Sequence, residues 1–268
     1  MAVVETDLRG GVMTITLADE ERRNALSRQL TSELVAALDK ADADPEVRVV
    51  VLTNRGHVFC AGANLAERST PDAAEAAAGN LDPRALFGRF RHSPKPFVGR
   101  IAGHCVAGGM GLAAAMDISV AADDAKFGFT EVRVGVVPAM ISVVCLPKMR
   151  AADAQEAFLR GHRFPAADAV RMGLINRAVP ADQLDAEIDV IVSDLLAGEP
   201  NAIAAAKQLT AVVPTMSEDD AFTWTAELSA RLFATDEARE GMTAFLEKRP
   251  ASWVPVATGE TTRQEPRP

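Results

Sequence analysis

The stretch GHCVAGGMGLAAAMD, residues 103–117, decides the fold, because it joins a glycine-rich turn to an apolar helix. The residues before it, PFVGRIAG (96–103), predict a strand that ends in glycine. Glycines at a strand end let backbone N–H groups point into a cavity without hindrance from a Cβ atom. The helix, predicted from about Gly108 to Met116, adds the partial positive charge of its N-terminus at the same place.

A second glycine motif, FCAGANL (59–65), follows the predicted buried strand VRVVVLT (47–53). Two backbone N–H groups held at such turns can form an oxyanion hole, which stabilises negative charge on a reacting oxygen. Taken singly, each motif is also typical of a tight turn that needs glycine. The GGMG segment does not match the G-x-G-x-x-G fingerprint, so a nicotinamide enzyme is not expected.

Outside these motifs, the first half of the chain alternates strand and helix patterns. Apolar residues alternate over 12–17, which indicates a half-buried strand, and Ser27 is placed to cap a helix with leucine at every fourth position. The alanine-rich stretch 67–93 predicts short helices and a mobile loop, and from about Met149 the patterns are helical. The order of these patterns predicts an α/β fold with crossover connections and a helical C-terminal part.

Composition excludes several classes of protein. The 268 residues are 48% hydrophobic and carry 28 Lys and Arg against 37 Asp and Glu, which fits one large soluble domain or two small ones. With a net charge of −9 and no basic run, nucleic acid is not an expected partner. Neither a membrane span nor a secretory signal is predicted. Three cysteines without CxxC spacing predict reduced thiols, no metal site and a cytoplasmic protein.

One carboxylate has the surroundings expected of a general acid or base. Glu131 lies in FGFTEVRVGVVP (127–138), among apolar residues. Partial desolvation in such a place raises the pKa of a carboxyl group towards values that are useful for proton transfer. The alternative is an ion pair with Arg133 or another cation on a surface turn.

Several segments, in this order, resemble the crotonase (enoyl-CoA hydratase/isomerase) superfamily over nearly the whole chain. The resemblance implies the crotonase (ClpP-like) spiral of ββα units, an α/β fold with two roughly perpendicular sheets. It implies a spiral core over 1–195, a helical trimerisation region over 196–253, a disordered tail over 254–268, and a homotrimer or a dimer of trimers. The segments that carry the resemblance are RNALS (23–27), AGANL (61–65), the AGG turn with its helix, FGFTEVRVGVVP, GHRFPAADAVRMGLINRAVP (161–180) and EGMTAFLEKRPASW (240–253).

The resemblance also implies an acyl-CoA thioester as substrate, with coenzyme A as part of the substrate and no separate cofactor. By position, the thioester oxygen is expected to lie between the N–H groups of Ala63 and Gly108. Arg23 and Lys248 are candidates for the CoA phosphates, Lys248 from a neighbouring subunit, although both can equally be solvated surface cations. The residues expected along the CoA groove are Asn24, Ala25, Leu26, Ala61, Gly62, Asn64, Leu65 and Gly109.

One departure from the family pattern leaves the reaction open. Family hydratases generally use two glutamates to hold a water molecule; the second falls on Glu131, but the first falls on Gly111. Three alternatives follow: hydration with Glu131 as the single acid/base, isomerisation of a 3-enoyl to a 2-enoyl thioester, or an acyl-CoA-binding paralogue with weak or no turnover. We prefer the hydratase. A catalytic role for His104 is a further, less favoured expectation.

Overall fold

The computed structural model describes residues 2–69 and 84–255, in which ten strands form two sheets. The larger sheet has the order β1-β2-β3-β5-β7-β10 and the smaller one the order β4-β6-β8-β9. All neighbours are parallel except β1 with β2 and β8 with β9. The strands are β1 Val4–Arg9, β2 Val12–Leu17, β3 Val49–Asn54, β4 Val58–Cys60, β5 Phe97–Ile101, β6 His104–Val106, β7 Ile118–Ala122, β8 Lys126–Gly128, β9 Phe164–Pro165 and β10 Arg177–Val179.

Helices fill the connections and make up most of the C-terminal part of the described chain. The α/β class and the helical C-terminal region are therefore confirmed. The predicted helix from Gly108 is also confirmed and ends one residue earlier than expected. The α-helices are α1 Arg28–Ala43, α2 Arg89–His92, α3 Gly108–Ala115, α4 Ala139–Cys145, α5 Ala151–Arg160, α6 Ala166–Arg171, α7 Leu184–Ala197, α8 Pro200–Val212, α9 Glu218–Phe233 and α10 Asp236–Glu247.

Local sequence accounts for the first elements. The apolar residues of β2 are buried at alternate positions, as the pattern predicts. The Ser27 hydroxyl oxygen accepts the N–H of Leu30 at 3.1 Å and caps α1, which ends before Pro45. The leucines at every fourth position of α1 are fully buried against the sheet, because residues i and i+4 share one face of a helix.

The spiral arises because consecutive strands enter different sheets. In each of the pairs β3–β4, β5–β6 and β7–β8, the first strand joins the larger sheet and the second joins the smaller one. Since β4 and β6 are parallel neighbours, their carboxyl ends lie at the same edge of the smaller sheet. The glycine turns of the two motifs follow these two strand ends, at Ala61 and Ala107, so the topology brings the turns together.

Buried polar contacts hold the C-terminal helices on the sheets. The Lys207 ammonium of α8 lies 2.8 Å from the Asp117 carboxylate and donates to the carbonyl of Lys95 at 2.7 Å. The Arg48 guanidinium donates to the carbonyl oxygens of Gly198 and Trp253, both at 2.7 Å.

The predicted division into a spiral core, a helical trimerisation region and a tail stays a prediction. Their boundary at 195/196 falls within α7, and most of the tail and the stretch 70–83 lie outside the described residues. Within residues 2–69 and 84–255, no helix is long and apolar enough to cross a membrane.

Candidate active site

The two glycine motifs are in direct contact. Gly62 has a φ of +86°, and a Cβ atom there would lie 2.5 Å from the Ala107 Cβ and 2.9 Å from the Gly108 nitrogen. Only glycine tolerates both this backbone conformation and this close approach. Ala107 also has a positive φ, +50°, immediately before α3. The loop after β4 and the start of α3 therefore form one continuous backbone surface.

Each motif presents a backbone N–H group at this surface. Leu26 and Ala63 form a parallel bridge in which Leu26 donates to the carbonyl of Gly62 at 2.7 Å and accepts from Asn64 at 3.5 Å. The bridge uses neither polar group of Ala63, so its N–H points away from Leu26. Gly108 is the first residue of α3, where an N–H group has no acceptor within the helix. The geometry fits the expected oxyanion hole, whose role stays a prediction.

The RNAL segment lies alongside this surface. The carbonyl of Arg23 accepts the N–H of Ala61 at 3.1 Å, and both Arg23 and Asn24 have positive φ. Asn24 is completely buried, and its amide nitrogen donates to the carbonyls of Val58 at 2.7 Å and Arg55 at 3.2 Å. The side chain of Asn24 therefore shapes the loop and is not available to a ligand.

The other residues expected in the groove differ in exposure. The side-chain oxygen of Asn64 accepts the N–H of Ala66 at 3.1 Å, just before the 3-10 turn Ala66–Arg68. Leu65 is largely exposed, whereas Ala25 and Gly109 are buried. A Cβ atom at Gly109 would lie 2.6 Å from the carbonyl oxygen of Cys60, so this glycine lets α3 pack closely on β4.

Glu131 begins a 3-10 turn, Glu131–Val134, after β8. Its side-chain atom Oε2 is buried and has no hydrogen-bond partner among the described residues. Burial raises the pKa of the Glu131 carboxyl above its ordinary value, against a smaller opposing effect of its own backbone N–H. A half-buried carboxylate that forms no ion pair with any described residue is suited to accept and return a proton.

The alternative ion pair between Glu131 and Arg133 is wrong. The Arg133 guanidinium donates through Nε at 3.2 Å and Nη2 at 3.0 Å to the carbonyl oxygen of Arg160, at the end of α5. Sequence separation alone could not reveal this, because a 3-10 turn directs neighbouring side chains to different sides.

Gly111 lies in the middle of α3, with no room for a side chain. A Cβ atom there would overlap Ile141 Cγ2, and it would lie 2.8 Å from Phe87 Cε1 and 2.9 Å from Ile141 Cβ. Both neighbours are almost completely buried. Nothing in the sequence singles out Ile141 for this contact, because an isoleucine in an apolar helix carries no motif signal.

For three further candidates, no side-chain hydrogen bond to the site is found among the described residues. Arg23 and Lys248 are exposed, and neither forms an ion pair within residues 2–69 and 84–255. The Nδ1 atom of His104 accepts the N–H of Lys126 at 3.2 Å, which ties the ring to the start of β8.

Fold and backbone surface together define a protein of the crotonase superfamily. The family model described as enoyl-CoA hydratase/isomerase matches residues 7–255. A crystal structure of an enoyl-CoA hydratase from Mycobacterium smegmatis superposes with a TM-score of 0.88 at 31% identity, covering 94% of this chain and 99% of the other. The chain belongs to the enoyl-CoA hydratase/isomerase family.

Curated relatives agree with this membership. A Thermus thermophilus protein whose name assigns it to the enoyl-CoA hydratases is 38% identical over 245 residues, which cover 90% of this chain and 97% of the relative. Enoyl-CoA hydratase EchA19 of Mycobacterium tuberculosis is 32% identical over 93% of this chain and 97% of its own. Carnitinyl-CoA dehydratase of Proteus mirabilis is 31% identical over 91% and 95%.

Proposed function

We propose that the protein is an enoyl-CoA hydratase that works with a single carboxylate. The observation that carries the proposal is the Glu131 side chain, whose Oε2 atom is buried without a hydrogen-bond partner among the described residues. A desolvated carboxylate with a raised pKa is costly for the fold, and its retention is explained by a role in proton transfer.

The reaction requires one base and one oxyanion site. The Glu131 carboxylate takes a proton from water as the water oxygen bonds to C3 of the 2-enoyl thioester, and the C2=C3 electrons move to the thioester oxygen. The N–H groups of Ala63 and Gly108 stabilise this enolate, each by about 3 kcal/mol. Collapse of the enolate takes the proton back from Glu131 to C2, which completes the addition of water.

We place the CoA portion along the surface that residues 23–26 and 61–65 form together, since hydrogen bonds join their backbones. Arg23 is placed at the phosphates, and Lys248 would reach them from a neighbouring subunit of a trimer or a dimer of trimers. Exposed Phe222 and Phe233 on α9, and Phe245 on α10, support such an assembly, since large exposed apolar groups mark contact surfaces. Three free, buried cysteines fit a reducing compartment, which we take to be the cytoplasm.

A second candidate is a 3,2-enoyl-CoA isomerase. It is favoured by the packing of Ile141 and Phe87 at Gly111, which leaves no space for a second carboxylate on α3. Isomerisation needs one base to carry a proton between C4 and C2, which Glu131 alone can do. The third candidate, an acyl-CoA-binding paralogue, would bind the thioester without converting it.

Two substrates separate these candidates. The purified protein is incubated with crotonyl-CoA and, separately, with a 3-enoyl-CoA, and the ultraviolet absorbance of the conjugated thioester is followed. We expect the absorbance of crotonyl-CoA to fall. A rise with the 3-enoyl thioester alone would assign the isomerase, and acyl-CoA binding without any absorbance change, across a panel of acyl groups, would assign the binding protein.

A further inference from the structure

Helix α4 can pack as closely on α3 as it does only because residue 111 is glycine. A Cβ atom at this position would overlap the Ile141 side chain and lie 2.9 Å from the Ile141 Cβ, closer than real Cβ atoms approach carbon. Interiors are packed too densely to absorb such an overlap without movement. Any side chain at position 111 would therefore displace α4, the Phe87 ring, or both.

Helix α4 also carries a thiol, that of Cys145, whose pKa responds to the charge of Glu131. Cys145, the last residue of α4, is fully buried, and its thiol donates to the carbonyl of Met110 at a sulfur–oxygen distance of 3.6 Å. The negative charge of Glu131 contributes, after burial, to the raised pKa of this thiol. Cys145 thus ties α4 to α3 at Met110, the residue that precedes Gly111.

The turn that carries Glu131 is anchored on two sides. On one side, Arg133 donates to the carbonyl of Arg160. Val132 packs against Gly161 on the same side, so closely that a Cβ atom on Gly161 would lie 2.6 Å from Val132 Cγ2. On the other side, the segment from Glu131 leads directly into α4, and Val136 donates back to the Glu131 carbonyl at 3.2 Å. A shift of α4 would therefore move Glu131 or admit water to it.

We propose that Gly111 is a positioning residue: its contact with Ile141 sets the place of Glu131 relative to the N–H group of Gly108. Gly108 and Gly111 lie one turn apart on α3, so the helix that offers the oxyanion donor also sets the distance to the acid/base. Glycine at position 111 then has two consequences. It leaves α3 without a second carboxylate, and it keeps Glu131 where single-carboxylate chemistry requires it. This inference rests on the function proposed above for Glu131.

The test uses Gly111→Ala, Ile141→Ala and the double variant, with Glu131→Gln to identify the infrared band of the Glu131 carboxyl. Three quantities are measured on each protein: kcat, the dissociation constant for coenzyme A, and the pH midpoint of that band. For Gly111→Ala we expect kcat to fall about 10-fold or more, because a displacement near 1 Å can cost up to about 10²-fold. Coenzyme A binding should stay within about 2-fold of wild type.

The infrared midpoint does not depend on turnover. In Gly111→Ala it should move down towards the ordinary value of glutamate, because water reaches the carboxyl group once α4 shifts. The double variant should recover most of kcat and of the midpoint, since Ile141→Ala removes the worst overlap. If Gly111→Ala does not fold, a lowered midpoint in Ile141→Ala, which loosens the same contact, supports the proposal.

Three results would overturn the proposal. The first is an unchanged kcat and an unchanged infrared midpoint in Gly111→Ala, and the second, if Gly111→Ala does not fold, is an unchanged midpoint in Ile141→Ala. The third is a parallel loss of kcat and of coenzyme A binding in Gly111→Ala that the double variant does not recover. A wild-type protein with no turnover on any acyl-CoA would refute the proposed function, while the infrared midpoints would still test the positioning role.

Discussion

Gly62 and Gly108 approach so closely that a Cβ atom on Gly62 would lie 2.9 Å from the Gly108 nitrogen. This contact joins the two glycine motifs, which are separated by more than forty residues in sequence. It places the N–H groups of Ala63 and Gly108 on one backbone surface and gives the predicted oxyanion hole a structural basis.

Gly62→Ala should therefore disrupt the oxyanion hole. We expect kcat to fall about 10²-fold or more, because a donor is displaced, and thermal unfolding to show a loss of stability. Gly10→Ala is the matched control, since Gly10 also has a positive φ but no atom of the described residues lies within 4 Å of its Cβ position. Both variants bear the left-handed backbone cost of about 1–2 kcal/mol, so equal kcat values in the two would count against the assignment.

Glu131→Gln should stabilise the protein at neutral pH. The folded-state pKa of Glu131 is raised by burial, so the folded protein binds the proton more tightly than the unfolded chain does. The stabilising effect of protonation is complete below the ordinary pKa and is lost as the pH rises through the raised folded value. Denaturant unfolding should thus show the variant to be more stable than wild type at pH 7 and equal to it in acid. A less stable variant at pH 7 would contradict the burial of an unpartnered carboxylate.

Asn24→Ala should cost about 3 kcal/mol or more of unfolding free energy. Its buried side chain donates to the carbonyl groups of Arg55 and Val58 and accepts the N–H of Asp19 at 2.8 Å. Each such group left unpaired costs about 1–3 kcal/mol. Asn64→Ala is the control, because its side-chain hydrogen bonds lie at the surface. A loss in Asn24→Ala no larger than in the control would show that the loop does not depend on this amide.

Lys207→Met should cost about 3 kcal/mol, because it removes the paired cation of the partly buried Asp117 carboxylate and leaves only the Coulombic effect of Lys148. Burial raises the pKa of Asp117 even with Lys207 present. Adding Asp117→Asn should recover part of the loss, and exposed Lys40→Met should change the free energy of unfolding by less than about 0.5 kcal/mol. Equal effects of the two lysine substitutions would show that the pair does not hold α8 on the core.

Much of the fold could be predicted because its signals are local. The alternation over 12–17, the Ser27 cap and the helix from Gly108 each depend on neighbouring residues, and each is confirmed. The close approach of the two glycine loops also follows from sequence once both are placed after parallel strands.

The remainder could not be predicted, because it depends on side-chain contacts between distant elements. Arg133 is close to Glu131 in sequence but binds the carbonyl of Arg160, which depends on where α5 ends. The packing of Ile141 and Phe87 at Gly111 joins three separate elements, and apolar residues leave no distinguishing pattern for such a contact. Sequence could therefore show that a carboxylate is absent at position 111, but not that the space is filled.

The most direct test of Glu131 as the single acid/base compares the wild-type protein with Glu131→Gln on crotonyl-CoA. Initial rates are followed by the loss of thioester absorbance, and binding of the same substrate is measured by calorimetry. We expect wild type to hydrate crotonyl-CoA, and we expect Glu131→Gln to lose about 10²-fold or more of kcat while its dissociation constant for crotonyl-CoA is retained. Undiminished hydration by Glu131→Gln would contradict this role, because a group other than Glu131 would then be moving the proton.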